Sequence, residues 1–244
     1  MPDTTNERRA DRPLRLLIAA DTFPPDVNGA AKFTVNLAAG MAARGHEVHV
    51  AVPSASRRHG TWAETYDDET ITVHRLPSDR YWPHDWLRYV KPWMARRHMR
   101  RVLDEVKPDV VHYQSAVVLG RAVVREGAGR GIRIIGTNHL MLENMLEHTL
   151  LPKPLPEIAS RIWWRDAHKT FAATAALTTP TRRAADFLER NGGLERVLAI
   201  SCGLRKSDYA PDFSEKRPRR VLFVGRVTGE KQIDVLIRAF ATLG

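Results

Sequence analysis

The sequence predicts an α/β fold, in which helices cover both faces of a mostly parallel sheet. Short apolar runs typical of buried strands recur along the chain, and helix-length amphipathic segments separate most of them. The apolar runs span residues 14–20, 47–52, 71–76, 109–113, 132–137 and 176–180. Open sheets of this kind bind ligands at the carboxyl ends of their strands, so we expect a functional site at that edge.

The composition of the 244 residues excludes several classes of protein. An apolar content of 43% suffices for a packed core and rules out a disordered chain. The single cysteine, Cys202, cannot form an internal disulfide or a cysteine metal cluster. No apolar run approaches the roughly 18 to 20 residues that cross a bilayer, and residues 1–13 lack the apolar core of a secretion signal. We therefore expect a cytoplasmic protein, with peripheral attachment to the inner face of the cell membrane as an open alternative.

The chain is strongly basic. Its 38 Lys and Arg residues against 28 Asp and Glu residues give a formal net charge of +10 at pH 7. This balance favours an anionic partner, which is phosphate groups, an acidic membrane surface or nucleic acid. No recognisable nucleic-acid-binding motif accompanies the charge, so we expect no nucleic-acid partner.

Changes in composition divide the chain into four segments. Residues 1–13 are predicted to form a disordered tail, residues 14–203 the main domain, residues 204–218 a linker and residues 219–244 the start of a second domain. In the last segment, the run at 221–225 predicts a buried strand and the spacing after it predicts an amphipathic helix. One strand and one helix cannot bury a core. We therefore expect either a fragment that stops one βα unit into a second domain or a unit completed by something else.

The first predicted strand leads into a candidate anion site. Asn28 and Gly29 follow that strand, where they allow a tight turn and a close approach of the backbone to a ligand. The helix after them offers unpaired N–H groups and the positive end of its dipole. An ordinary strand-to-helix loop has the same spacing, so the two interpretations stay open at this point.

Two segments together resemble glycosyltransferase family 4. They are PPDVNGAAKFTVNLAAGMAARGHEVHVAVP, residues 24–53, and VLFVGRVTGEKQIDVLIRAFATL, residues 221–243. The family comprises retaining sugar transferases of the GT-B architecture, and the resemblance covers residues 14–244. It implies a Rossmann-like doubly wound parallel sheet as the N-terminal half of a GT-B fold, followed by the first βα unit of a second Rossmann-like domain. It also implies a nucleotide diphosphate sugar as substrate, with no cofactor and no metal.

The resemblance assigns the donor diphosphate to three residues. Gly29 corresponds to the family's glycine-rich loop, although many members have Gly-Gly where this chain has Asn-Gly. Arg226 and Lys231 correspond to the cations that hold the two phosphates, and there they would neutralise the departing nucleoside diphosphate. Two surface cations in a loop are the alternative. Ser201-Cys202-Gly203 departs from the family's Pro-Asn-Gly, which puts one donor contact in doubt.

A second group of candidates follows the fifth predicted strand. His139 is expected to project from the carboxyl edge as the catalytic residue that stabilises or deprotonates the acceptor hydroxyl. Thr137, Asn138 and Glu143 are expected to bind the acceptor or the sugar. Glu143 lies in a proline-rich stretch, residues 140–156, that is predicted to be a loop. A histidine satisfied within the core is the alternative for His139.

A basic helix is predicted to begin near Trp93. Helical spacing places Arg97, Arg100 and Arg101 with Trp93 opposite an apolar stripe, and Arg96 adds to the same cluster of charge. An aromatic residue beside arginines suits attachment to an anionic lipid surface. A solvated helix face is the alternative.

These observations lead to one hypothesis with two alternatives. The chain is predicted to be part of a retaining hexosyltransferase that moves mannose or glucose from a GDP- or UDP-activated donor to a lipid-linked, polyprenol-type or other hydroxyl acceptor. As a fragment it is expected to be inactive alone. The alternatives are a non-catalytic Rossmann-like module that binds a membrane or a partner, and a soluble sugar-phosphate synthase.

Overall fold

The computed structural model describes most of the chain. The described residues are 12–80, 88–140, 155–204, 209–210, 213–214, 220–225, 227 and 231–242, and side chains are described from residue 158 onward in the segment that starts at 155. The chain divides into two compact units. The first consists of Met1–Leu140 and Trp163–Cys202, and the second of Met141–Ile162 and Gly203–Gly244. The domain boundaries inferred from composition stay predictions.

The first unit is built on an eight-stranded sheet. Its strands are β1 (Arg15–Ala20), β2 (Glu47–Pro53), β3 (Gly60–Tyr66), β4 (Glu69–Leu76), β7 (Val110–Gln114), β8 (Arg133–Thr137), β9 (Ala176–Thr179) and β10 (Leu198–Ala199). A separate ribbon pairs β5 (Asp79–Arg80) with β6 (Arg88–Tyr89). The order across the large sheet is β10-β9-β8-β7-β1-β2-β4-β3, and every pair is parallel except β3 with β4.

Helices flank this sheet. They are α1 (Gly29–Ala42), α2 (Pro92–Val106), α3 (Val118–Gly127) and α5 (Arg182–Gly192). Helix α4 (Leu155–Ala172) is divided between the two units, and α6 (Ile233–Ala241) belongs to the second. Neighbouring residues in a strand point to opposite faces of a sheet. In β1 both Leu17 and Ile18 are buried, so both faces of the sheet are covered. The predicted α/β fold with a mostly parallel, doubly covered sheet is confirmed.

The prediction missed β3, which pairs antiparallel with β4 at the edge of the sheet. Most of its residues are exposed, and its side chains are largely polar, so it lacks the apolar run by which the other strands were recognised. Asp67 and Asp68, both at positive φ, form the turn between the two strands. A pair of Asp residues between strand-like segments is a hairpin signal that the sequence does carry.

The strand predicted at residues 221–225 is wrong. Val221, Leu222 and Val224 are exposed, and none of these five residues has strand structure. A parallel strand forms only where a neighbour completes its hydrogen bonds, and none of the described strands pairs with this segment. The helix predicted after it is confirmed as α6.

Candidate active site

The carboxyl ends of four parallel strands lie in register. Ala20 of β1 pairs with Gln114 of β7, Gln114 with Thr137 of β8, and Thr137 with Thr178 of β9. Parallel strands end at the same edge of a sheet, so the residues that follow them lie near one another. The polar residues just beyond these strand ends are Asp21, Ser115, Asn138 and His139.

His139 lies at this edge as predicted, and three contacts hold it. Its Nε2 atom is 2.8 Å from Oε1 of Gln114. Its backbone N–H donates to Oγ of Ser115 at 3.1 Å, and its ring packs on Phe33 of α1 with 4.8 Å between the ring centroids. Burial lowers the pKa of His139 to about 4, so the imidazole is neutral at neutral pH.

The contact with Gln114 determines which ring nitrogen of His139 is available. An amide oxygen accepts hydrogen bonds, so a neutral His139 carries its proton on Nε2 and has its lone pair on Nδ1. Within the described part of the chain, Nδ1 has no hydrogen-bond partner. A base of such low pKa removes protons weakly, so the geometry suits Nδ1 to accept a hydrogen bond from a hydroxyl group and orient it.

Thr137 and Asn138 are deeply buried, and they differ in what they leave unpaired. The Thr137 hydroxyl lies 2.8 Å from both the Thr178 hydroxyl and Nε2 of His112. Both partners of the Thr137 hydroxyl are side chains of the protein, so these bonds do not support the contact with a sugar that was expected of Thr137. Asn138 donates from Nδ2 to the Leu140 carbonyl at 2.7 Å, while its Oδ1 is buried and has no partner among the described residues. A ligand contact of Asn138 stays a prediction.

Asp21 is a residue of this edge that the sequence analysis missed. Its Oδ1 accepts the N–H of Leu119 at the start of α3, at 3.0 Å, and its Oδ2 is buried without a partner in the described segments. Burial raises the pKa of Asp21 to about 6, although the N–H groups of Leu119 and Val118 and the charge of Arg121 oppose the rise. An acid that directly follows a central strand was the available signal.

Gly29, at the start of α1, does not make the tight turn expected of it. Asn28 is extended and caps the helix by accepting the N–H of Ala31 at 2.9 Å. Gly29 is the first helical residue, it has no positive φ, and a Cβ atom there would meet nothing within 4 Å. No feature of the described protein therefore requires a glycine. What Gly29 provides is open backbone at a helix N-terminus, where an anion can approach.

Arg75, near the end of β4, holds the loop between β1 and α1. Its guanidinium donates to the Pro24 carbonyl at 2.8 Å and pairs with Glu64 of β3 at 2.9 and 2.6 Å. It also lies over the ring of Phe23, with 5.4 Å from Cζ to the ring centroid. Tyr66 donates to Glu64 at 2.6 Å and completes the cluster. No local sequence pattern reveals this anchor, because its partners come from separate parts of the chain.

Two of the predicted site residues lie outside the described residues. They are Glu143 and Arg226. Lys231 is described as an exposed residue just before Gln232, the N-cap of α6, so it precedes the first turn in which the sequence analysis placed it. It belongs to the second unit. Its donor-binding role, with that of Arg226, stays a prediction.

Helix α2 has the two faces predicted for it. Its apolar stripe is buried and consists of Ala95, Met99, Val102, Leu103 and Val106. Trp93 is 73% exposed at the start of the helix, beside the arginines. The amphipathic prediction is therefore confirmed.

The four arginines of α2 fall into two pairs. Arg96 and Arg100 bind the carboxylate of Glu126 on α3, at 2.7 and 2.9 Å, and this carboxylate is almost fully buried. Arg97 and Arg101 are exposed and make no ion pair with the described residues. Arg96 and Arg100 thus join α2 to α3, and Arg97 and Arg101 are the cations of the group that remain available to an anionic surface.

The sheet and its helices form a Rossmann-like α/β fold of the kind found in GT-B proteins. It is similar to sucrose-phosphate synthase from Thermosynechococcus elongatus, with a TM-score of 0.57 and 11% identity over 81% of this chain and 51% of that one. Residues 27–207 match the sequence profile of Glycosyltransferase Family 4. The chain belongs to this family.

Two relatives found by sequence comparison are named for the attachment of mannose or glucose. The chain is 26% identical over 232 residues to a GDP-mannose-dependent alpha-mannosyltransferase of Mycobacterium tuberculosis, covering 91% of this chain and 58% of that protein. It is 22% identical over 245 residues to the alpha-monoglucosyldiacylglycerol synthase of Acholeplasma laidlawii, covering 93% of this chain and 59% of that one. The chain therefore spans less than two thirds of the length of either relative.

The described residues contain neither a membrane-spanning helix nor a cluster of metal ligands. None of the described helices combines the length and the apolar character needed to cross a bilayer. No three His, Cys, Asp or Glu side chains among the described residues come together as metal ligands. Independence from metal stays a prediction from the family resemblance.

Proposed function

We propose that the chain forms the acceptor-side domain of a retaining hexosyltransferase, which moves mannose or glucose from a nucleotide diphosphate sugar to a hydroxyl group. The observation that carries this proposal is the neutral His139, whose Nδ1 has no partner in the described structure at the carboxyl edge of the sheet. Membership of the family supports the reaction class. The name of the mycobacterial relative supports GDP-mannose as the donor.

In the proposed reaction, the donor bond breaks and the acceptor bond forms on the same face of the sugar. The bond from the anomeric carbon to the donor phosphate breaks, the bond to the acceptor oxygen forms, and the acceptor proton passes to the departing phosphate oxygen. As the acceptor binds, Nδ1 of His139 accepts a hydrogen bond from its hydroxyl and orients the hydroxyl oxygen toward the anomeric carbon. The same proton leaves this hydrogen bond and passes to the departing phosphate oxygen as the new bond forms. The N-terminus of α1 at Gly29 and the cations Arg226 and Lys231 stabilise the diphosphate as its charge grows.

The proposed acceptor is a lipid-linked or polyprenol-type alcohol at an anionic membrane surface. Trp93, Arg97 and Arg101 are exposed on one face of α2, and the net charge of the chain is +10. The name of the Acholeplasma relative, an alpha-monoglucosyldiacylglycerol synthase, supports a lipid acceptor. The alternative is a soluble sugar-phosphate acceptor, which the fold shared with sucrose-phosphate synthase keeps open.

The chain spans less than two thirds of the length of the two relatives described above. The assay therefore uses the longest polypeptide that the gene encodes, beside residues 1–244 alone. Each is incubated with radiolabelled GDP-mannose, UDP-glucose or UDP-N-acetylglucosamine and with extracted membrane lipids or sugar phosphates. Transfer of mannose or glucose to a lipid is the expected result. Absence of transfer from every hexose donor contradicts the proposed function.

A further inference from the structure

Gln114 is the last residue of β7, and its side-chain amide is buried with only one end satisfied. Gln114 as a whole is 3% exposed. Oε1 pairs with Nε2 of His139 at 2.8 Å, whereas the Nε2 of Gln114 is buried without a partner in the described part of the chain. Buried amides that serve only the core normally have both ends hydrogen-bonded. An amide that is half satisfied and directed at His139 points to a role beyond packing.

We propose that Gln114 is a positioning residue for His139: it holds the proton of the imidazole on Nε2 and turns the lone pair of Nδ1 toward the acceptor hydroxyl. This inference rests on the proposed function. It adds a named residue that acts through His139 and touches neither the sugar nor the phosphate.

No other described contact of His139 determines which ring nitrogen carries the proton. Its backbone N–H is tied to Ser115, and its ring packs on Phe33, but neither contact involves a ring nitrogen. Gln114 supplies the single hydrogen bond to the ring among the described residues. Removing its oxygen therefore frees the ring to turn about its side-chain bonds and to expose either nitrogen.

The turn that carries Ser115 is also held in a demanding conformation. Ser115 has a φ of +67°, which non-glycine residues seldom adopt. A Cβ atom at Gly120 would lie 2.1 Å from the Ser115 carbonyl oxygen, so only glycine permits α3 to approach this turn. The backbone N–H of Ser115 donates to the Thr137 carbonyl at 2.7 Å. The strand end that presents Gln114 and Ser115 to His139 is thus fixed by the surrounding structure.

The amide group of Gln114 accepts the Nε2 proton of His139 without stabilising the charged imidazolium. A carboxylate at the same place would also accept from Nε2, but it would stabilise the imidazolium and occupy Nδ1 with a second proton. A methionine would keep the volume and lose the acceptor oxygen. Gln114→Glu therefore tests the effect of charge while an acceptor oxygen is kept. Gln114→Met tests the loss of the oxygen while the volume is kept.

The first measurement is the proton-coupled imidazole nitrogen spectrum of the purified protein, assigned by its absence in His139→Gln. We expect a slowly exchanging proton on Nε2 and none on Nδ1 at pH 7. Gln114→Met should lose the slow exchange, and Gln114→Glu should keep it and raise the pKa of His139 by at least about one unit. Thr178→Val, a control at the neighbouring hydroxyl cluster, should leave the His139 signals unchanged. A proton on Nδ1 in the wild type, or unchanged exchange in Gln114→Met, overturns the proposal.

The second measurement is the rate of hexose transfer against pH in the longest encoded polypeptide. Gln114→Met should lower kcat about tenfold or more with little change in the KM for the nucleotide sugar, and its melting temperature reports any loss of fold. Gln114→Glu should recover the rate only at higher pH, with the acidic limb displaced upward. Equal pH profiles for all three proteins overturn the role of Gln114 while leaving the proposed transfer intact. Absence of transfer in the wild type overturns the proposed function, and the role of Gln114 falls with it even where the Nε2 proton is observed.

Discussion

Arg75 and Glu64 form a two-bonded ion pair, in which Nε and Nη2 of the guanidinium donate to the two carboxylate oxygens at 2.9 and 2.6 Å. Both side chains are largely buried, and a further guanidinium N–H holds the Pro24 carbonyl in the loop between β1 and α1. Burial by itself would raise the pKa of Glu64, but hydrogen bonds from Arg75 and Tyr66 outweigh it and lower that pKa. The pair therefore links the edge hairpin to the loop that leads into Gly29.

Replacing Arg75 with Gln should lower the free energy of unfolding by about 2 to 4 kcal/mol, because it leaves a partly buried carboxylate unpaired. Urea unfolding at pH 7 measures the change. Arg12→Gln is the matched control, since its pair with Asp109 is more exposed and should contribute less than about 1 kcal/mol. Since the pKa of Glu64 is lowered in the fold, the effect of Arg75→Gln should shrink as the pH falls below the ordinary range of a glutamate. Equal losses in the two variants would contradict the assignment.

Asp21→Asn should make the protein more stable at pH 8 and not at pH 3.5. Burial raises the pKa of Asp21 in the fold to about 6 from 3.8, so the native state resists ionisation of this carboxyl. The stability contributed by the protonated form is complete below about pH 3.8 and is lost as the pH rises through 6. The variant cannot ionise there, so its advantage should grow across this window to about 1 to 3 kcal/mol.

Unfolding free energies of the wild type and Asp21→Asn between pH 3.5 and 8 test this expectation. Asp186→Asn provides a control, because Asp186 is a more exposed acid in an i,i+4 pair on α5. An Asp21→Asn advantage that is independent of pH would show that burial of the charge is not its cause.

Gly29→Ala should separate folding from function. Gly29 has no positive φ, and an added Cβ would meet nothing within 4 Å. The free energy of unfolding should therefore stay the same or rise by up to about 1 kcal/mol. A methyl group there would nevertheless obstruct a diphosphate at the helix N-terminus, and the KM for the nucleotide sugar should rise about tenfold. Gly129→Ala, at another open glycine, is the control. Unchanged KM in Gly29→Ala would remove the diphosphate from this site.

Vesicle sedimentation should distinguish the two arginine pairs of α2. Arg97→Ser with Arg101→Ser should weaken binding to anionic vesicles about 25-fold, at roughly 1 kcal/mol for each arginine near the surface. Arg183→Ser with Arg190→Ser removes equal charge from the exposed side of α5 and should have little effect. Arg96→Ser with Arg100→Ser should instead lower the melting temperature, because it strips Glu126 of both cations. Binding that is unchanged in Arg97→Ser with Arg101→Ser would contradict membrane contact through α2.

What the sequence predicted well is what depends on short-range pattern. The six apolar runs became strands because parallel strands buried on both faces must be apolar throughout. His139 lies at the carboxyl edge because it is the second residue after such a strand. The buried face of α2 followed from helical spacing alone. These features need no knowledge of distant parts of the chain.

What the sequence missed depends on partners far along the chain. Arg96 and Arg100 were assigned to a membrane surface, yet their carboxylate, Glu126, lies 26 to 30 residues away on α3. The orientation of His139 depends on Gln114, 25 residues earlier, and the anchor of the β1–α1 loop depends on Arg75, 51 residues after Pro24. For a related reason, the edge strand β3 was missed and the strand predicted at the exposed segment 221–225 was wrong. Whether a segment forms a strand depends on the neighbouring strands available for pairing.

The rate of hexose transfer by His139→Ala, measured in the longest polypeptide that the gene encodes, tests the central claim most directly. If Nδ1 of His139 orients the acceptor hydroxyl, the variant should keep its melting temperature and its KM for the nucleotide sugar while kcat falls about 100-fold or more. A folded His139→Ala protein that transfers mannose or glucose at the wild-type rate would contradict the account.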